Sequence, residues 1–173
     1  VNIGFVLLVM IVLVAYFNRH LAISPKLRHL INLLYMPEDL YTPVISDKFE
    51  FQVEGYTKTY KFEPKYLGIY EAGIDFGDAG VKKGYAFKGE ILFEFISNGK
   101  VIAKKIASKN ISALYLSNKL ERYKKVTIAE FNGSIGKKQI DDLSVKLTNL
   151  KTDAGLLNYT RDATIYISIS GSK

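Results

Sequence analysis

Two hydrophobic periodicities divide the chain. Val1 to Phe17 (VNIGFVLLVMIVLVAYF) is apolar on every helical face, with Asn2 as its one strongly polar side chain. A bilayer-spanning helix needs about 20 such residues, with a range of roughly 17–25. A run that is apolar all round does not suit a helix lying on a water-facing domain. We expect residues 1–17 to be a transmembrane helix, a signal anchor with Tyr16 at the membrane interface. The exit Val14-Ala15-Tyr16-Phe17-Asn18 is a poor cleavage site, because signal peptidase needs small residues at its recognition positions.

Residues 18–46 are expected to form a juxtamembrane amphipathic helix and a linker. Ser24 is a suitable N-cap and Pro25 suits the first helical position. Leu27, Leu30, Ile31 and Leu34 then fall on one helical face, and Pro37 ends the helix. Such a helix either lies on the bilayer surface or packs on the adjoining β domain. Glu38 to Pro43 reads as a short linker.

From Asp47 the period changes to 2, so residues 47–173 are expected to be one β domain. Phe49, Phe51 and Val53 alternate with polar neighbours and predict a first strand. Further strands are expected over Thr57–Phe62, Tyr66–Phe76, Glu90–Ile96, Val101–Ala107, Val126–Phe131, Ser144–Leu150 and Ala163–Ser170. Gly77–Gly84 reads as a turn-rich loop. Residues 108–122 are ambiguous between a helical turn and an irregular crossover. Asn98-Gly99 sits between two apolar runs and predicts a two-residue hairpin turn, in which both residues need positive φ. This strand count and spacing point to an antiparallel β-sandwich, immunoglobulin-like in the broad sense.

The order of a Phe-rich first strand, the FEFISNGKVIAKK hairpin, then DDLSVKLTNL leading into DATIYISIS resembles a family of small exported bacterial β-sandwich domains of unknown function. It is also similar to immunoglobulin-like sandwiches generally. The likeness covers about residues 47–170 and rests on strand pattern. It implies fold and export, and it carries over no functional residue. The chain lacks the Cys that carries lipid in the exported lipoprotein form of such domains.

Composition narrows the chemistry. With no Cys, a disulfide scaffold, a thiol nucleophile and a Cys-ligated zinc site are excluded. The two histidines, His20 and His29, both precede the β domain, so neither a Ser-His-Asp triad nor a His-ligated zinc can be built within it. The net charge is +7. Residues 1–46 add little to it, since Arg19, Lys26 and Arg28 are set against Glu38 and Asp39. The excess therefore lies on the β domain and biases it toward anionic partners.

Asp75 and Asp78, in GIDFGDAG, are the candidate hard-oxygen ligands, although too few carboxylates alternate for a calcium loop. Asp141-Asp142 reads as turn capping. The lysine doublets at 82–83, 104–105, 124–125 and 137–138 are the repeated basic feature. Lys104, Lys105, Lys124 and Lys125 are the candidate residues for binding an anionic surface, set against the plainer role of edge lysines in blocking aggregation. Asn110-Ile-Ser, Asn132-Gly-Ser and Asn158-Tyr-Thr match the glycosylation pattern, which matters only in a eukaryotic secretory host.

The sequence thus predicts a single-pass membrane protein of the bacterial envelope. Arg19, Lys26 and Arg28 argue for a cytoplasmic domain, whereas a short leader before an apolar run usually sends the downstream chain across the membrane; we expect the β domain on the extracytoplasmic side. The expected role is non-catalytic binding of a protein partner or an anionic envelope component. The alternative is a carbohydrate-active or hydrolytic domain using paired carboxylates. No cofactor, metal or nucleic-acid partner is expected.

Overall fold

A computed structural model describes residues 38–66, 68–117, 122–132, 142–159 and 163–170, together with Gly4 and Met10. The expected anchor over 1–17 and the amphipathic helix over 24–36 lie outside the described residues, apart from Gly4 and Met10. Among the described residues no helix is long and apolar enough to cross a membrane.

The described chain is all-β, with two antiparallel sheets. The strands are β1 (Ile45–Lys48), β2 (Thr57–Lys61), β3 (Ile69–Asp75), β4 (Val81–Lys82), β5 (Glu90–Ser97), β6 (Lys100–Ala107), β7 (Ser112–Ser117), β8 (Arg122–Asn132), β9 (Leu143–Lys151) and β10 (Thr164–Ile169). The larger sheet runs β1-β10-β3-β8, with β4 and β7 also paired to β8; the smaller runs β2-β9-β5-β6. Alternate residues face inward, as a period of 2 requires. Tyr70, Ala72 and Ile74 of β3, with Ile165, Ile167 and Ile169 of β10, oppose Ile91, Phe93 and Phe95 of β5 and Val145 and Leu147 of β9. Phe62, Tyr70, Phe95 and Phe131 join the two sheets through ring contacts of 4.7–6.2 Å. Burying one such ring contributes about 1.5–3 kcal/mol.

Lysines bridge the sheets at both margins. Lys58 of β2 pairs with Asp47 of β1 at 2.7 Å. Lys105 of β6 donates to the Glu130 carbonyl of β8.

The hairpin at Asn98-Gly99 has the expected form. Asn98 and Gly99 have φ of 48° and 74°, and Ser97 pairs with Lys100 directly across the turn. Replacing Gly99 by Val should cost about 1–2 kcal/mol, because a β-branched residue resists the left-handed region. Thermal denaturation checks this, and an unchanged midpoint would count against the turn.

Several expectations change. Phe49 to Glu54 is not a strand: Phe49 and Phe51 are buried, but residues 51–55 form turns and Val53 is exposed. The buried Asn149 amide donates to the Phe51 and Val53 carbonyls at 2.8 and 2.9 Å, which holds this segment in turns. The glycine-rich loop contains the short β4, paired with β8. The ambiguous stretch after residue 107 contains β7, which pairs with β8 from Ser112↔Thr127 to Ser117↔Arg122. The sandwich also starts ahead of residue 47. Leu40 is buried, β1 begins at Ile45, and the Val44 N–H donates to the Ile167 carbonyl at 2.8 Å. The segment Glu38 to Pro43, read as a linker, is therefore part of the packed structure at Leu40.

Candidate functional site

The outer face of the larger sheet should be wet, yet it holds buried polar groups. On β10, Tyr166 and Ser168 are buried although they alternate with the inward-facing isoleucines. Register sets Tyr166 beside Gly73, and Gly73 beside Thr127 of β8, which is also buried. Gly73 has no side chain, so the Tyr166 ring lies over it; a Cβ there would come 2.7 Å from both Cε1 and Oη of Tyr166. The Tyr166 hydroxyl donates to Glu71 Oε1 at 3.3 Å and sits 3.2 Å from Thr127 Oγ1. Lys125 Nζ stands 4.8 Å from the centre of the Tyr166 ring and 3.3 Å from the Asp75 carboxylate. Asp75 Oδ1 also accepts from the Gly77 N–H at 2.9 Å.

The charges on this face shift in a consistent direction. Burial pushes Glu71 above the usual carboxylate range, and the Glu130 carboxylate, directly across the strand pair, adds to the rise. Burial also pushes Tyr166 well up, with the Glu71 charge beside it, so Tyr166 remains a protonated donor. Because Glu71 binds its proton more tightly in the folded chain, its stabilising contribution is complete below the usual glutamate range. That contribution is lost as pH rises through the folded pKa. Glu71→Gln should therefore raise the melting temperature, relative to wild type, more at pH 8 than at pH 4. A gain of equal size at both pH values would count against a raised Glu71.

The structure joins residues that are separate candidates in the sequence. Asp75 pairs with Lys125 in register, and Asp78 lies 3.6 Å from Lys124. Each of the two aspartates is thus paired with one lysine of the 124–125 doublet. Among the described residues no group of three or more His, Cys, Asp or Glu could hold a metal.

Lys104 and Lys105 lie elsewhere, on β6. Lys104 and Lys146 both reach the largely buried Glu94, at 2.7 and 3.4 Å. The Lys104 hydrogen bond, more than Lys146, holds Glu94 below its usual range. Lys105 turns the other way, to the Glu130 carbonyl. Neighbours on a strand point to opposite faces, so a doublet does not put both charges on one surface. Lys137 and Lys138 lie outside the described residues.

An open groove of about 510 Å³ sits where the chain enters the sandwich, lined by Asp39, Pro43, Glu63, Lys65, Tyr66 and Tyr70 among others. Its acids are engaged: Asp39 accepts from Tyr66 and pairs with Lys65, and Glu63 pairs with Lys61 at 2.5 Å. The facing pair Glu71 and Glu130 is not in its lining.

Asn110 is held inside the fold. Its amide donates to the Tyr85 carbonyl at 2.7 Å, and its oxygen accepts from the Phe87 N–H at 2.9 Å. Both ends of the side-chain amide thus tie Asn110 to the Tyr85–Phe87 segment. Sequence reasoning missed Glu71, Thr127 and Tyr166; the available signal was Gly73 inside a strand, which marks close approach of another group.

The fold and this surface define a two-sheet antiparallel β-sandwich with ion-paired faces. No family model, curated protein or solved structure matches the chain.

Proposed function

We propose that the chain is a membrane-anchored, non-catalytic interaction module, whose β-sandwich presents a binding face on the extracytoplasmic side of a bacterial envelope. The observation that supports a binding face is the apolar surface of the smaller sheet. Val101, Ile102 and Ile106 are exposed there, on an edge strand beside the half-buried Leu92 and Ile96. Large side chains grouped in this way on a surface mark interaction sites. The apolar run over 1–17 supports the anchor.

The test uses the full chain in its native membranes, with a photoreactive residue at position 106 and, as a control, at the exposed Thr59 on the far edge of the same sheet. The expected result is protein that stays with membranes after alkaline extraction and a discrete cross-linked species from position 106 alone. Extraction into the aqueous phase would remove the anchor. Identical cross-linking from both positions would remove the binding face.

A further inference from the structure

β6 ends the smaller sheet, so its second hydrogen-bonding edge faces no strand among the described residues. Six of its eight residues are exposed, including Val101 at 47 % and Ile106 at 55 %. A bulge interrupts its pairing with β5 near Phe95, but Ala103 to Ala107 pairs without a break. That run is a regular template for another strand. On the outer face, Ile106 lies opposite Leu92, Lys104 opposite Glu94, and Val101 opposite Ile96. Two apolar pairs thus flank a central charge.

β6 carries Lys100, Lys104 and Lys105 and no acid. Pairing with a second copy of itself would line up three lysines from each chain along one seam. Edge lysines oppose that arrangement. An acidic strand turns the same lysines into attraction.

We propose that β6 is the docking edge for an extended segment of a partner protein whose outward-facing side chains, two residues apart, run apolar, acidic, apolar. Its main chain extends the smaller sheet. On the outer face its acid meets Lys104, and its apolar side chains two residues to either side cover Ile106 and Val101. This inference rests on the interaction-module reading and names the partner's chemistry.

The test measures fluorescence anisotropy of labelled peptides with the detergent-solubilised full chain. The probes are a short Val-Glu peptide carrying Val, Glu and Val at every second position with Ser between them, the same peptide with methylated amide nitrogens, and a Val-Lys peptide with Lys in place of that Glu. The Val-Glu peptide should bind and should weaken as salt rises. Neither control peptide should bind. Ile106→Glu, a change at an exposed position, should weaken the Val-Glu peptide by roughly tenfold or more, whereas Thr59→Glu should leave it nearly unchanged.

Equal binding by the methylated or the Val-Lys peptide would overturn the proposal, as would a concentration-dependent dimer abolished by Ile106→Glu. Failure of the Val-Glu peptide, with cross-linking from position 106 intact in membranes, would overturn this inference alone. Loss of both signals would overturn the interaction reading as well.

Discussion

Replacing Asn149 by Leu should lower the melting temperature by roughly 10 °C, from a loss of about 3 kcal/mol. Asn149 is inward-facing on β9 and almost fully buried. Its amide nitrogen serves the Phe51 and Val53 carbonyls and reaches the Glu50 carbonyl at 3.5 Å. Its main chain is tied to the same segment, through Gly55 N–H to the Asn149 carbonyl at 2.7 Å and Asn149 N–H to the Tyr56 carbonyl at 2.9 Å. Leu is similar in size but donates nothing, so carbonyls near the buried Phe51 lose their partner, at about 1–3 kcal/mol each. Asn149→Asp sharpens the test. A carboxylate facing carbonyl oxygens is repelled, and protonation restores one donor. Relative to wild type at the same pH, the Asp variant should be worse at pH 7 than at pH 4. A Leu variant that melts with wild type would show that the amide does not hold the turn segment.

Gly73→Ala should cost about 3 kcal/mol or more, at the upper end for overpacking. The added Cβ would stand 2.3 Å from the Val126 carbonyl oxygen and 2.7 Å from the Tyr166 ring. The ring can swing away if Lys125, Thr127 and Glu71 release it, but the carbonyl is main chain in a neighbouring strand and cannot. Combining Gly73→Ala with Tyr166→Ala separates the two contacts. If the carbonyl dominates, the double variant should be no more stable than Gly73→Ala alone. Recovery of stability in the double variant would assign the clash to the ring. A Gly73→Ala protein as stable as wild type, by chemical denaturation, would remove the close approach altogether.

Both residues show how much the sequence discloses. Asn149 is legible as an inward position, because it continues the alternation of Val145 and Leu147. Its partners are not legible, since they lie nearly a hundred residues away in a stretch whose own alternation resembles a strand. Phe49 and Phe51 are buried as their spacing suggests. They do not pair as a strand, because the Asn149 amide takes the carbonyls of this segment. Gly73 announces a close approach without saying what approaches. Asp75 and Lys125 are each conspicuous in sequence as members of different candidate sites, and only the β3–β8 register makes them partners.

What the sequence determined by itself is local. Period-2 alternation marks β2, β5, β9 and β10, since burial of one sheet face imposes that period on any strand. Asn98-Gly99 determines the hairpin, since few other residue pairs accept two positive φ angles in succession. Tertiary structure decided which strands are neighbours, that the stretch after residue 107 becomes β7, and that the outer face of β10 buries Tyr166 and Ser168. It also decided that Lys104 and Lys105 divide between faces, Lys104 pairing with Glu94 and Lys105 with the Glu130 carbonyl, and that Lys125 pairs with Asp75 on a neighbouring strand. These outcomes depend on cross-strand register, which is set by contacts between segments far apart in the chain. No local pattern encodes a distance between two strands until both have found their place in the sheet.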